Sequence, residues 1–249
     1  MTALRSLLFN IVFYANTVLF LVASIPLFLV PRHITILSLI YWGKATAFLH
    51  RAIVGTKVEL RGLENIPKGA CLVAAKHQSA WDTCVLPSYF ADPAIVLKRE
   101  LTWIPLYGWF THKFGMISLD RGAAATAMRH LRDAAKREAA KGRQILIFPE
   151  GTRKAPGAPP DYKPGVALLY GELDLPCLPV ALNSGLFWPR RKPERYPGTI
   201  IVEFLPPIPP GLARRDFMQR LEDIIETATS RLIAETAAGK DAPPTVVKQ

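Results

Sequence analysis

The chain has 249 residues, half of them hydrophobic, with a formal net charge of +11 and a mean hydropathy of +0.17. That length supports one sizeable core and demands no second domain, the hydropathy is high for a wholly soluble protein, and the charge calls for an anionic partner: lipid headgroups, phosphorylated substrates, an acidic carrier protein or nucleic acid. The three cysteines, Cys71, Cys84 and Cys177, lack C-x-x-C spacing, and two of them sit in apolar runs, which suits buried thiols in a reducing compartment; His33, His50, His112 and His130 are scattered and supply no neighbouring zinc ligands.

Residues 7–30 run apolar and uncharged, broken by Asn10, Tyr14, Asn16, Thr17, Ser24 and Pro26. As a helix the run is about 36 Å long, against about 30 Å of bilayer hydrocarbon. After Pro31-Arg32-His33, residues 34–54 are again apolar but carry Lys44, His50 and Arg51, an amphipathic pattern. The pair predicts a membrane-associated helical hairpin over residues 1–56, crossing twice or lying partly immersed in one leaflet. Arg5 also fits a signal peptide, but the apolar run exceeds the usual length and no small-x-small site follows it. With Arg5 cytoplasmic, either hairpin returns the chain to the cytoplasm.

From Lys57 the pattern turns α/β. Strands are predicted at residues 58–62 (an edge strand), 70–76, 94–97, 115–119, 144–148, 177–182 and 199–205, from short apolar runs bounded by Gly, Pro or charge. Helices follow Ser79, Arg121 and Lys163-Pro164, and residues 214–238 form a terminal amphipathic helix. The aromatic piece Trp103-Ile104-Pro105-Leu106-Tyr107-Gly108-Trp109-Phe110 suits either core or an interfacial loop. An α/β domain over residues 57–238 and a disordered tail over 239–249 are expected.

Chemistry collects at three strand ends. In His77-Gln78-Ser79-Ala80-Trp81-Asp82 an apolar strand stops at an imidazole, and Ser79-x-x-Asp82 reads as a capping box opening a helix. Five positions within one helix would set His77 and Asp82 about 140° apart. A strand-to-helix corner lets the carboxylate reach back, orient the imidazole and make it a general base; a plain helix cap gives the same spacing. The other corners are Arg121 and Glu150-Gly151-Thr152-Arg153. Carboxyl ends of strands in α/β sheets face ligand crevices, and two arginines beside a glycine that bares backbone N–H groups suit a phosphate, with Lys163 as a third cation and Lys98 a weaker one. Glu150 would hold an arginine or accept from a substrate hydroxyl.

Together these blocks resemble the glycerolipid acyltransferase family, specifically the compact bacterial 1-acyl-sn-glycerol-3-phosphate acyltransferases. His77 to Asp82 matches its His-x4-Asp block, residues 115–121 the second, Phe148-Pro149-Glu150-Gly151-Thr152-Arg153 the third and Leu178-Pro179-Val180-Ala181 the fourth. Lys76 departs from the pattern, where many members carry Asn. The resemblance implies a mixed sheet flanked by helices, no cofactor or metal, and transfer of an acyl group from acyl-CoA or acyl-carrier protein to the sn-2 hydroxyl of lysophosphatidic acid. His77 and Asp82 would be catalytic, Arg121 and Arg153 would hold the phosphate, Glu150, Gly151 and Thr152 would shape its pocket, and Leu178, Pro179 and Val180 would border the acyl or thioester site. The implied location is the cytoplasmic side of a bacterial inner membrane. Rival readings are a relative acting on glycerol 3-phosphate, another lysophospholipid or a lyso-aminolipid, and a non-catalytic basic module for membrane or nucleic acid; the apolar hairpin disfavours nucleic acid.

Overall fold

The computed structural model describes residues 2–120, 124–239 and 242–246. Seven strands, β1 (Thr56–Arg61), β2 (Cys71–Ala75), β3 (Pro93–Lys98), β4 (Ile117–Leu119), β5 (Gln144–Ile147), β6 (Cys177–Leu182) and β7 (Gly198–Phe204), form one sheet in the order β1-β7-β6-β2-β5-β3-β4. Neighbours pair in parallel except β6 with β7, so the carboxyl ends of β2 to β6 share one edge. The sheet is mixed, as expected, and β1 is an edge strand.

β2 is buried on both faces, which is why it reads as an unbroken apolar run instead of an alternating one. Its side chains still alternate in direction. Cys71, Val73 and Ala75 join a cluster with helices α3 (Ala80–Cys84) and α7 (Ser184–Phe187), represented by Trp81 and Phe187. Leu72 and Ala74 face helices α5 (Ala124–Ala139), α6 (Gly165–Leu173) and α8 (Arg214–Ala238), meeting Leu131, Leu169 and Ile225. The sheet is thus sandwiched between two helical layers.

The hairpin forms, with two local departures from one continuous helix per arm. Helix α1 (Thr2–Ala23) gives way to a 3-10 turn at Ile25–Leu29, because Pro26 has no N–H to donate and its ring disfavours a continued α-helix. Helix α2 (Arg32–Leu49) ends in a π-turn, His50–Val54, closed by Gly55 at φ +90°. The first half of α1 and the inner face of α2 dock on the α/β domain, and further along α1 packs on α2, where Trp42 Nε1 donates to Thr17 Oγ1 (3.2 Å). Ser6 Oγ and Asn10 Nδ2 donate to the carbonyls of Arg195 and Pro193 (3.1 and 2.8 Å), Phe9 and Phe13 pack edge-on against Trp188, and Arg32 grips Asp92 with two 2.7 Å bonds. His50 is buried beside Thr56, and that burial lowers its pKa to about 3, so it stays neutral. The outward side stays apolar: Leu4, Leu7, Ile11, Val18, Leu37 and Phe48 are exposed.

Gly43 is where α2 comes closest to the domain. A Cβ there would sit 2.8 Å from the Cys84 carbonyl and 2.9 Å from Ser88 Cβ. Gly43→Leu should push α2 away at a cost of about 1–3 kcal/mol. Limited proteolysis of the 24–31 connection should then quicken; cleavage at the wild-type rate would count against tight docking.

The aromatic piece divides between its two possible roles. Phe110, on helix α4 (Tyr107–Lys113), is buried against Ile36, Phe114 and Phe28, whereas Trp103, Ile104 and Trp109 are exposed. In the tail, Thr245 Oγ1 donates to the Leu186 carbonyl at 2.5 Å and Val246 packs on the core. Positions 240–241 and 247–249 lie outside the described residues.

Candidate active site

The corner after β2 is built by alternation. The strand's pairing continues one residue further, with Lys76 N–H bonded to the Val180 carbonyl (2.9 Å), so Lys76 turns toward the α8 layer and His77 toward the α3 layer. Ser79, at φ −139°, caps α3 in a full capping box. Asp82 Oδ2 accepts from Gln78 N–H (2.7 Å), Ser79 N–H (2.8 Å) and His77 Nδ1 (3.0 Å), and Ser184 Oγ donates to Oδ1 (2.5 Å). An oxygen that takes two backbone N–H groups belongs to a carboxylate, so Nδ1 carries the ring proton and Nε2 is left basic. The imidazole stacks on Phe148 at 4.0 Å and keeps about a tenth of its surface open. Helix cap and His77–Asp82 pair are therefore one structure.

Behind the corner, Lys76 and Glu150 are buried together. Lys76 Nζ donates to Glu150 Oε1 (2.9 Å) and to both oxygens of Glu226 (2.7 and 2.9 Å), Tyr162 OH donates to Glu226 Oε1 (2.9 Å), and Glu150 Oε2 accepts the His77 N–H (3.1 Å). Burial raises the Glu150 carboxyl above its ordinary range while Lys76 and the His77 N–H oppose the shift; burial and Glu226 both raise the Tyr162 phenol, keeping it a donor. This corrects two expectations. Glu150 is fully buried and holds Lys76 and the backbone of His77, not an arginine or a substrate hydroxyl. Gly151, at φ +62°, donates its N–H to the Phe148 carbonyl (2.9 Å), so the glycine makes a tight turn and its N–H is not bared toward an anion.

Thr152 and Arg153 follow that turn half-buried at the carboxyl edge, one strand from His77. Arg153 lies near Cys84 and Tyr107 and pulls both groups down, but burial still leaves each at about 12. Its carbonyl accepts from Arg190 (2.6 Å). Lys98 is exposed at the end of β3, in register with Leu119, and so borders the same edge. Arg121 lies outside the described residues. Lys163 does not join the cluster: its exposed ammonium is taken by Asp161 at 2.6 and 2.7 Å, the carboxylate two residues before it. Leu178, Pro179 and Val180 are buried inside β6, paired with β2, and it is Ser184, just past the strand, that touches the site.

Known proteins can now be set beside this geometry. A family model described as Acyltransferase matches residues 57–183, which takes in the whole His77 to Arg153 constellation. The chain belongs to the acyltransferase family. This acyltransferase is 36% identical to the 1-acyl-sn-glycerol-3-phosphate acyltransferase of Pseudomonas aeruginosa, over 80% of this chain and 79% of that one. It is 28% identical to the alpha enzyme of the same name from Mus musculus, over 80% and 71% of the two chains. In fold it resembles the crystal structure of PlsC, the 1-acyl-sn-glycerophosphate acyltransferase of Thermotoga maritima, with a TM-score of 0.78, 24% identity, and coverage of 94% and 98%. The residues around the candidate site that sequence reasoning missed are Ser184, Glu226 and Tyr162. None lies in a motif, and all are 60 or more positions from the side chains they bond.

Proposed function

We propose that this acyltransferase transfers an acyl group from acyl-CoA or acyl-carrier protein to the sn-2 hydroxyl of lysophosphatidic acid, giving phosphatidic acid. The observation that carries the reading is the His77 Nδ1 to Asp82 bond at the carboxyl edge of a parallel sheet, with Arg153 one strand away. Nε2 of His77 takes the hydroxyl proton as the oxygen attacks the thioester carbonyl. The tetrahedral intermediate then collapses, the C–S bond breaks, and the thiolate recovers the proton from the imidazolium. No covalent acyl-enzyme, metal or further cofactor is required. Arg153, Arg121 and Lys98 hold the phosphate, with Gly151 and Thr152 shaping the turn that presents Arg153. Relatives bearing this name from a bacterium and a mouse support the choice of acceptor.

The substrate's solvent fits the hairpin. The first half of α1 and the inner face of α2 are held against the α/β domain, so we read the arms as immersed in one leaflet, with Trp103, Ile104 and Trp109 adding interfacial contact and the α/β domain on the cytoplasmic side of a bacterial inner membrane. Surface Lys and Arg add about 1 kcal/mol each toward anionic lipid.

The test is to incubate purified protein with lysophosphatidic acid and either donor and to assay phosphatidic acid. No product with either donor would sink the reading, and equal rates with lysophospholipids lacking a phosphomonoester would move it to another acceptor. Arg153→Ala is expected to raise KM for lysophosphatidic acid about tenfold, as for a lost charge-assisted pair of roughly 1.5 kcal/mol, with a smaller change in KM for the donor. The two KM values, measured separately, check it.

A further inference from the structure

We propose that Lys76 and Glu226 are positioning residues for the base, joining the terminal helix α8 to the backbone of His77. The inference rests on His77 being that base.

A buried ammonium is tolerated only when its donors are satisfied. Lys76, 2% exposed, places all three: one on Glu150 Oε1 and two on Glu226. Glu150 thereby has one oxygen on Lys76 and the other on the His77 N–H. The His77 carbonyl is held from the opposite direction by Lys154 N–H (2.8 Å). The peptide groups on both sides of the imidazole are thus tethered. The first tether is fixed by a carboxylate whose rotation, among the described residues, only Lys76 restrains through a side-chain hydrogen bond, and Lys76 is aimed by Glu226. Tyr162, from the segment that follows Arg153, donates to Glu226 and ties that segment into the same chain of contacts. None of Lys76, Glu226 or Tyr162 bonds the imidazole or Asp82, so their influence on the reaction runs through the placement of His77.

A group that only positions the base should alter turnover and leave binding alone, and a displacement of about 1 Å can cost up to 100-fold. Lys76→Met, Glu226→Gln and the double variant are therefore to be assayed beside His77→Ala, with kcat, KM for both substrates and thermal melting measured on each. Expected for Lys76→Met is a kcat at least about tenfold lower, with both KM values within about twofold, and a lowered melting point because two facing carboxylates have lost their cation. Adding Glu226→Gln should recover melting, since one of those charges is gone, without recovering kcat, since Glu150 is still unrestrained. That separation of stability from turnover is what a purely structural role would not give.

A folded Lys76→Met enzyme with kcat within twofold of wild type, or a loss that lies in KM, overturns the inference. If Lys76→Met does not fold, Glu226→Gln decides alone: it removes one partner at a partly exposed site and should lower kcat about threefold with KM unchanged, wild-type kcat being the overturning result. Full activity in His77→Ala would instead remove the base reading itself.

Discussion

Replacing His77 with alanine is expected to slow acyl transfer by about 10²- to 10⁴-fold, the usual contribution of a positioned general base, while the protein melts close to wild type. The second half follows from Asp82. Deleting the imidazole takes away one of its four hydrogen bonds, and the carboxylate keeps Gln78 N–H, Ser79 N–H and Ser184 Oγ. The capping box survives, so α3 keeps its start, and the lost bond and stacking on Phe148 should cost only about 1–2 kcal/mol. Assayed for phosphatidic acid formation alongside thermal unfolding, a well-folded His77→Ala protein with full activity would overturn the mechanism.

Arg143→Met is expected to have the largest effect on stability, a loss of about 3–5 kcal/mol. Arg143 is completely buried, and its guanidinium donates to Asp92, to Glu138 and to the carbonyls of Pro93, Phe114 and Gly115, at 2.6 to 2.9 Å. Methionine fills similar volume but takes a partner from the buried carbonyls of Pro93 and Phe114 and from the part-buried one of Gly115, a buried carbonyl costing about 1–3 kcal/mol when unpaired. For a chain of 249 residues the loss corresponds to a melting point lower by about 10 °C. The residue lies at the amino end of β5, across the sheet from His77, so turnover per folded molecule should not change. Unaltered melting would show that the clamp carries little of the stability.

Much of the fold was legible because the signals were local. Strands buried on both faces leave apolar runs, so residues 70–76 and 177–182 could be located from composition alone. The geometry of the His77 to Asp82 corner was legible for the same reason: cap, imidazole and carboxylate lie within six consecutive residues. The rear network was not, because Lys76 meets Glu226 across 150 positions and nothing in the local pattern of α8 distinguishes Glu226 from a solvated helix acid. Glu150 and Gly151 were located correctly and assigned the wrong partners. Their motif suggests an anion site, whereas burial decides that the carboxylate faces inward and the glycine N–H closes its own turn. Lys163 pairs instead with Asp161, two residues away, a local partner that the motif did not bring into view.

The docked hairpin bears on how the polypeptide can be divided. Phe9 and Val54, from the first arm and the end of the second, lie in the same cluster as Val73, Trp81 and Phe187, and Arg32 reaches Asp92, which Arg143 also holds. The junction near residue 56 is a change of composition, not a seam in the interior. A truncated chain beginning at Lys57 would uncover Trp188, the stretch from Cys84 to Ser88 and Asp92, so the apolar arms belong to the packing of the folded body and are not a detachable leash.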